Sequence, residues 1–262
     1  MSTRFRIPKS NVVTGRLTAA SSALAATSAA TAGAFVVILI ALHAIEPEFD
    51  PSWRFISEYQ LGEWGWLMSL AFVCLSASAA TLLLAVRTQV RTVGGRIGLG
   101  LLALTAVAFI IAGVFRTDSS VADAPSTTGM IHNTAAAVGG FVPLAAYLIA
   151  WSLARNIAWR PYRPSLWWVT TPAIIGDLAA WAQNAVLMSS GGVFGPGTPV
   201  GWPNRLLIVG FAGWMLAAAL LVRAVARAAP DSAATGAHSH ADTGVAPEPA
   251  MTALNTTAPP HH

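Results

Sequence analysis

Apolar residues occur in six long runs that alternate with short polar connections. Each run holds about twenty residues, which is enough for an α-helix to cross the hydrocarbon core of a bilayer. A backbone in lipid has to satisfy its own hydrogen bonds, so such a run forms a helix. The pattern therefore predicts an all-α fold, a bundle of six transmembrane helices. The runs lie at about 22–45, 64–86, 97–115, 130–154, 168–190 and 206–228.

The composition agrees with this pattern. The chain is 55% hydrophobic and only 10% charged, whereas soluble domains carry about 25% charged residues. The net charge of +4 does not indicate a nucleic-acid partner, because the arginines fall in short clusters between apolar runs. Cys74 is the single cysteine, so an internal disulfide and a CxxC metal or redox motif are both excluded. The lipid bilayer is the predicted partner, and the oligomeric state is left open.

Basic residues predict the orientation of the bundle. Most of them fall on one side of the six runs, and the side that holds more lysine and arginine faces the cytoplasm. Both termini are therefore predicted to be cytoplasmic, in the inner membrane of a bacterium. Twelve of the fifteen basic residues share that side: Arg4, Arg6, Lys9, Arg16, Arg87, Arg91, Arg96, Arg155, Arg160, Arg163, Arg223 and Arg227.

The chain divides into three predicted parts. Residues 1–16 form a basic cytoplasmic tail, 17–229 the membrane domain, and 230–262 a disordered cytoplasmic tail rich in Ala, Thr, Pro and His. The first apolar run is longer than the 7–15 residues of a signal-peptide core, so we expect it to be a retained span.

Polar residues gather on the predicted outer side. Two connections there, HAIEPEFDPSWRFISEYQLGEW and FRTDSSVADAPSTTGMIHN, carry acids, arginines, histidines and amides close to the ends of the spans. If the bundle closes, these side chains converge on one outer polar layer. Convergent polar groups in a cleft indicate a binding or active site.

Three residues of this layer have alternative roles. His132, at the outer start of the fourth span, is either a general base, proton relay or metal ligand, or a histidine hydrogen-bonded to a loop. Asp118 either forms an ion pair with Arg116 or fixes the tautomer of His132. A haem between His43 and His132 is a weaker alternative, and we predict no cofactor and no metal.

The two acids of the sequence SEYQLGEW differ in kind. Glu63 directly precedes the second span, where a carboxylate complements the helix dipole. Glu58 lies too far from that span for this explanation and is either a site residue or part of the loop structure. Arg205 opposes the dipole at the start of the last span, which predicts Glu58, Asp118 or an anionic ligand as its partner. Asn204 is the predicted N-cap of that span.

A polar stripe runs along the fifth predicted span. Asp177 lies about ten residues from Trp168, or ~15 Å along the helix, and a charge at such depth costs at least ~2.5–3.5 kcal/mol. Trp181 and Asn184 follow on the same face. The stripe is either functional or a hydrogen-bonding device that locks helix packing.

Four segments resemble the bacterial family called domain of unknown function 998. They are DPSWRFISEYQLGEWGWLM, GRIGLGLLALTAVAFIIAGVFRTD, TTGMIHNTAAAVGGF and PNRLL, and they span most of residues 45–225. The resemblance implies a six-helix inner-membrane protein and implies no activity. Many relatives have an acid where Asn204 stands, directly before the arginine. The matching polar positions are Ser57, Glu58, Arg116, Asp118, His132, Asn204 and Arg205.

The sequence predicts an outward-facing polar pocket that binds a small or lipid-like ligand. An enzyme acting on a prenyl or lipid substrate, a transporter and a regulatory partner of another membrane protein are the alternatives. The candidate catalytic residues are Glu58, Asp118, His132 and Asp177. The candidate ligand-binding residues are Ser57, Arg116, Asn133, Trp181, Asn184, Asn204 and Arg205.

Overall fold

The computed structural model describes residues 17–189, 191 and 194–228. The predicted tails 1–16 and 230–262 lie outside the described residues. Within the described part the chain is all-helical and contains no strand, which confirms the all-α part of the prediction. Two short 3-10 helices lie in the connections, at Ile56–Leu61 and Ile157–Tyr162. The α-helices are α1 (Ala19–Ile45), α2 (Gly65–Val86), α3 (Val93–Val114), α4 (Thr127–Gly139), α5 (Val142–Ala154), α6 (Arg163–Ser189) and α7 (Gly201–Ala228).

The starts of α1, α3 and α4 are set by hydroxyl side chains. Thr18, Thr92 and Ser126 each accept a hydrogen bond from the backbone N–H three residues later, which satisfies a donor that the first helical turn leaves free. These helices begin a few residues before the predicted apolar runs because the caps, and not hydrophobicity, define their ends.

Five helical segments of the described chain are long and apolar enough to cross a membrane. They are α1, α2, α3, α7 and the pair α4–α5, so the molecule is a multi-pass membrane protein. Helix α6 is not among them, although it is 27 residues long. Its apolar residues are interrupted by Pro172, Asp177, Gln183 and Asn184.

The fourth predicted span, 130–154, is not one continuous helix. Helix α4 ends at Gly139, and α5 begins at Val142 with Pro143 in its first turn. Adjacent glycines have low helix propensity, and proline is tolerated in a first turn because its missing N–H has no partner there. The residues Gly139, Gly140 and Pro143 therefore account for the break between α4 and α5.

The helices form one bundle in which the first and last are neighbours. Helix α1 packs against α2 and α7, α3 packs against α2, α4 and α5, and α6 packs against α7 and α5. Phe35, Leu75 and Phe211 are fully buried in its core. Small residues bring α1 and α2 close, since Ser28 Oγ and Ser78 Oγ lie 3.0 Å apart.

The connections divide into two ends. At one end, here called the arginine end, connections 87–92 and 155–162 meet, and the Asn156 amide donates to Gln89 Oε1 over 3.1 Å. At the other, the long-loop end, connections 46–64 and 115–126 meet the start of α7. Gly201 donates its N–H to Ser52 O there over 3.0 Å. The predicted site residues lie near this second end, apart from those deeper in α6.

Candidate functional site

Glu58 is buried at the long-loop end and has several hydrogen-bond donors. Its side chain is 1% exposed. It accepts from Arg54 Nη1 at 2.6 Å, from the Phe55 N–H at 3.0 Å and from the Ser120 N–H at 3.1 Å. Because Ser120 belongs to the α3–α4 connection, the carboxylate ties that connection to the α1–α2 connection. Glu58 was predicted to be either a site residue or part of the loop structure, and these contacts favour the second alternative.

Gln60 has a comparable position and was not predicted. Its side chain is completely buried; the amide donates to Ala112 O at 3.0 Å and to Ser69 Oγ at 3.2 Å, and it accepts from the Thr117 N–H at 3.2 Å. The bonds fix the end of α3. Nothing in the sequence distinguishes this buried amide from one that faces solvent, so it could not be predicted.

Arg205 is a buried cation whose partners are neutral. It is 5% exposed, and because α7 starts at Gly201 it lies one turn into the helix and not at its first residue. Its guanidinium donates to His43 Nε2 at 2.8 Å, to Arg54 O at 2.6 Å and to Gly201 O at 3.2 Å. No carboxylate of the described chain lies within ion-pair distance of it, so the predicted partners Glu58 and Asp118 are wrong. Together His43, Arg54, Glu58, Gln60 and Arg205 form what we call the buried polar cluster.

The contacts of His43 argue against the haem alternative. Its Nδ1 lies 2.7 Å from Leu39 O, so Nδ1 carries the proton and Nε2 accepts from Arg205. Both ring nitrogens are therefore occupied. Among the residues that the structure describes there is no group of three or more His, Cys, Asp or Glu side chains able to hold a metal ion.

Glu46 is a second buried acid that was not selected as a site residue. One oxygen accepts from the Trp64 N–H, and the other has no partner in the described part of the chain. The carboxylate lies against Gly62 so closely that a Cβ there would overlap it. Glu46 thus holds the start of α2, while Glu63, the acid expected to do so through the helix dipole, is exposed.

Asp118 is bound to the start of α4. Its oxygens accept from the Ser126 N–H at 2.7 Å and from Ser126 Oγ at 2.6 Å. These hydrogen bonds hold the pKa of Asp118 below its ordinary value. Arg116 is exposed and forms no ion pair with Asp118. Asp118 therefore positions the α3–α4 connection on α4.

A cavity of about 520 Å³ lies beside the buried polar cluster, within the size range of ligand pockets. Helix α4 contributes one wall, α6 and α7 the other, and the two long connections cover it. Two aromatic side chains, Phe55 and Phe194, also line it, with ring centroids 5.7 Å apart. Its polar lining consists of Ser57, Thr117, Asp118, Ser119, Ser120, His132, Asn133, Asn184 and Asn204.

His132 lines this cavity and has an unused acceptor that is itself buried. The side chain is 1% exposed, and Nδ1 lies 3.0 Å from both Ala112 O and Phe115 O. A carbonyl only accepts, so Nδ1 carries the proton and Nε2 is left as an acceptor. Nε2 is buried and has no partner among the described residues. The tautomer is thus fixed by backbone carbonyls and not by Asp118.

The three asparagines that line the cavity differ in their hydrogen bonding. Asn204 Oδ1 accepts from the Ile56 N–H at 3.0 Å, so it is part of the first turn of α7 and not its N-cap. Asn133 and Asn184 are exposed to the cavity from α4 and α6. The asparagines of α4 and α6 therefore border the same open space.

Asp177 and Trp181 lie below the cavity and do not line it. Trp181 lies next to Asp177 and is 66% exposed. One oxygen of Asp177 is buried without a partner in the described segments. Asp177 shares a helix face with Asn184, about 10 Å away along the axis. The predicted stripe is therefore one face of α6, and only its upper end reaches the cavity.

An apolar groove of about 370 Å³ runs along the opposite face of α4. Val107 and Ile111 of α3 and Met130 and Val138 of α4 line it. Helix α4 consequently separates a polar space from an apolar one.

Comparison with known proteins assigns the family and no activity. No curated protein and no solved structure matches the chain. The model of the family described as "Protein of unknown function (DUF998)" matches residues 29–221. The match covers more than half of the chain and includes both the cavity lining and the buried polar cluster, so the protein belongs to this family.

Proposed function

We propose that the protein is a bacterial inner-membrane receptor that binds a small or lipid-like ligand in the long-loop cavity. The observation that carries the proposal is a cavity lined with hydroxyl and amide groups, one of whose lining residues, His132, has a buried Nε2 without a partner among the described residues. A buried acceptor without a partner costs about 1–3 kcal/mol. A ligand that donates to Nε2 removes this cost.

The orientation is part of the proposal. Helix α6 is about 40 Å long at 1.5 Å per residue, packs along α7 and α5, and would form the sixth span. Both termini are then cytoplasmic and the cavity faces outward. Arginines in connections 87–92 and 155–162 support this orientation.

The orientation is tested by labelling single cysteines in intact cells. In a Cys74→Ala background, Glu48→Cys and Arg160→Cys place exposed thiols at the long-loop and arginine ends. We expect a membrane-impermeant maleimide to label Cys at 48 and not at 160. Labelling of position 160 alone would show that the arginine end faces outward and would contradict the proposed orientation.

Ligand binding is tested by native mass spectrometry of the full-length protein. His132→Asn keeps an amide N–H for the carbonyls of Ala112 and Phe115 and removes the Nε2 acceptor. We expect the wild type and the control Thr134→Val, on the other face of α4, to retain a co-purified molecule that His132→Asn loses. Equal retention by all three proteins would contradict the proposal.

A membrane enzyme acting on a prenyl or lipid substrate is the second candidate. It is favoured by the half-buried Asp177, whose unpaired oxygen lies on the same face of α6 as Asn184. Glu58 already accepts several hydrogen bonds, so we assign proton donation to Asp177. Overexpression should then change the cellular lipid profile, and Asp177→Asn should abolish the change. A folded Asp177→Asn protein that still changes the profile would contradict this assignment.

A further inference from the structure

The charges around the cavity indicate the kind of ligand that it accepts. Asp118 is the one charged side chain among the described lining residues, apart from the titratable His132. Arg205, the nearest buried cation, donates to His43, to backbone carbonyls and to the Tyr59 hydroxyl. Arg54 is partly exposed and donates to Ser119 of the cavity lining, but its charge is paired with Glu58 at 2.6 Å. Arg116 is exposed and does not line the cavity. An anion would therefore meet the Asp118 carboxylate, whereas the cation that contacts the described lining, Arg54, is already paired with Glu58. This arrangement is unfavourable for an anion.

The polar groups match a ligand with several hydroxyls. Ser57, Asn133 and Asn184 present groups that both donate and accept, and a hydroxyl also does both. The buried Nε2 of His132 only accepts in its fixed tautomer, so a ligand group that reaches it has to offer an O–H or N–H donor. An ester, an ether or a hydrocarbon lacks such a donor.

The two phenylalanines supply an apolar surface in the same cavity. The rings of Phe55 and Phe194 are tilted by 57° at 5.7 Å, and both line the space together with the amides. A sugar ring has hydroxyls around its edge and an apolar face of C–H groups. Such a ring fills a space bounded by amides on one side and aromatic rings on another.

We infer that the cavity binds a neutral polyhydroxylated group such as a sugar and excludes anionic groups. The inference rests on the proposed function and specifies the ligand class of that site. The sugar is either the headgroup of a membrane glycolipid or a free sugar from the aqueous side. The chemistry of recognition is the same in both cases, and the experiment separates them.

The experiment is a competition measured on the full-length protein. The protein is reconstituted in nanodiscs that contain glucosyl-dioleoylglycerol and dioleoylphosphatidylglycerol in equal amounts, and native mass spectrometry counts the lipid that each protein retains. The two lipids share their acyl chains and differ only in the headgroup. Methyl glucoside is added to a parallel sample without the glycolipid. The variants are Asn133→Leu, of similar volume, and the control Thr134→Val at the adjacent position facing the apolar groove.

We expect the glucosyl lipid to be retained over the anionic lipid, and Asn133→Leu to lower its retention about tenfold, as the loss of one bonded amide predicts. Thr134→Val should behave as the wild type. Binding of methyl glucoside alone would identify a free sugar as the source, and its absence would identify the lipid headgroup.

The failures are distinguishable. Preferential retention of phosphatidylglycerol that Asn133→Leu abolishes would overturn the sugar assignment and leave the cavity as a ligand site. Glycolipid retention that Asn133→Leu leaves unchanged would place the lipid elsewhere and overturn the inference. A protein that retains none of the three probes would contradict both the inference and the proposed receptor.

Discussion

The buried polar cluster and the cavity lie side by side at the long-loop end, and they use their hydrogen-bonding groups differently. Glu58 and Gln60 are buried, and each has several short bonds to protein groups. His132 is equally buried, yet one of its two ring nitrogens has no partner among the described residues.

The difference separates two roles that a list of polar residues does not. A buried polar group that is fully bonded stabilises the fold, because breaking one bond leaves the other partners unpaired. A group with unused capacity beside an open space stabilises whatever enters that space. Substitutions should therefore affect stability in the cluster and ligand retention at the cavity.

The largest expected effect follows Glu58→Ala. It leaves the N–H groups of Phe55 and Ser120 without their acceptor and Arg54 without its ion-pair partner. Removing one partner of a buried pair costs about 3–5 kcal/mol. Thermal unfolding in detergent measures the loss. Glu63→Ala, at an exposed acid of the same connection, is the control and should change little. Equal stability of the two variants would remove the distinction between cluster and surface.

A smaller loss of stability is expected for Gly201→Ala. A Cβ at this position would lie 2.8 Å from Arg54 O and from the Trp53 nitrogen, closer than carbon approaches these atoms. Overpacking of this kind costs about 1–3 kcal/mol. Gly213→Ala in the same helix places its Cβ in open space and is the matched control. If both variants unfold at the wild-type temperature, the close approach of α7 to the first connection is wrong.

Asp118→Asn should have a modest effect that depends on pH. The hydrogen bonds from Ser126 hold the pKa of Asp118 below its ordinary value of 3.8. The carboxylate therefore stabilises the fold above that value, and this contribution is lost as the pH falls through the lowered pKa. We expect the variant to be less stable than wild type at neutral pH and the difference to shrink under acid conditions. A difference that grows with acid would contradict the assignment.

The smallest effect on stability is expected for Asn184→Leu, because Asn184 is exposed to the cavity. The free energy of unfolding should change by no more than ~0.5 kcal/mol. Ligand retention in native mass spectrometry should nevertheless fall. A variant that is destabilised as strongly as Glu58→Ala would show that the cavity wall is structural.

The sequence predicted the membrane class and the general course of the helices because long apolar runs are a local signal. It also separated Glu63 from Glu58 through their distances from the second span, and the structure finds the first exposed and the second buried. The break after Gly139 was missed because the apolar run continues through it, although the glycines and Pro143 mark it.

The sequence did not predict which groups would be the hydrogen-bond partners of the buried polar residues. Arg205 opposed the helix dipole and so required a partner, but hydrogen-bond capacity alone does not distinguish a carboxylate from His43 and two carbonyls. The bond between Gln60 and Thr117 joins positions far apart in the chain. The unused nitrogen of His132 became visible only when Ala112 and Phe115 were seen to occupy the other one.

The docking of α7 on the first connection has a consequence for biosynthesis. Gly201, Asn204 and Arg205 supply the partners of Ser52 O, the Ile56 N–H and Arg54 O. These groups are made early, whereas α7 is the last of the described helices to leave the ribosome. In a nascent chain the first connection therefore lacks these hydrogen-bond partners when it reaches the membrane. The cavity is complete only after α7 has been inserted. Truncation before residue 201 should yield a protein that cellular proteases recognise as incomplete.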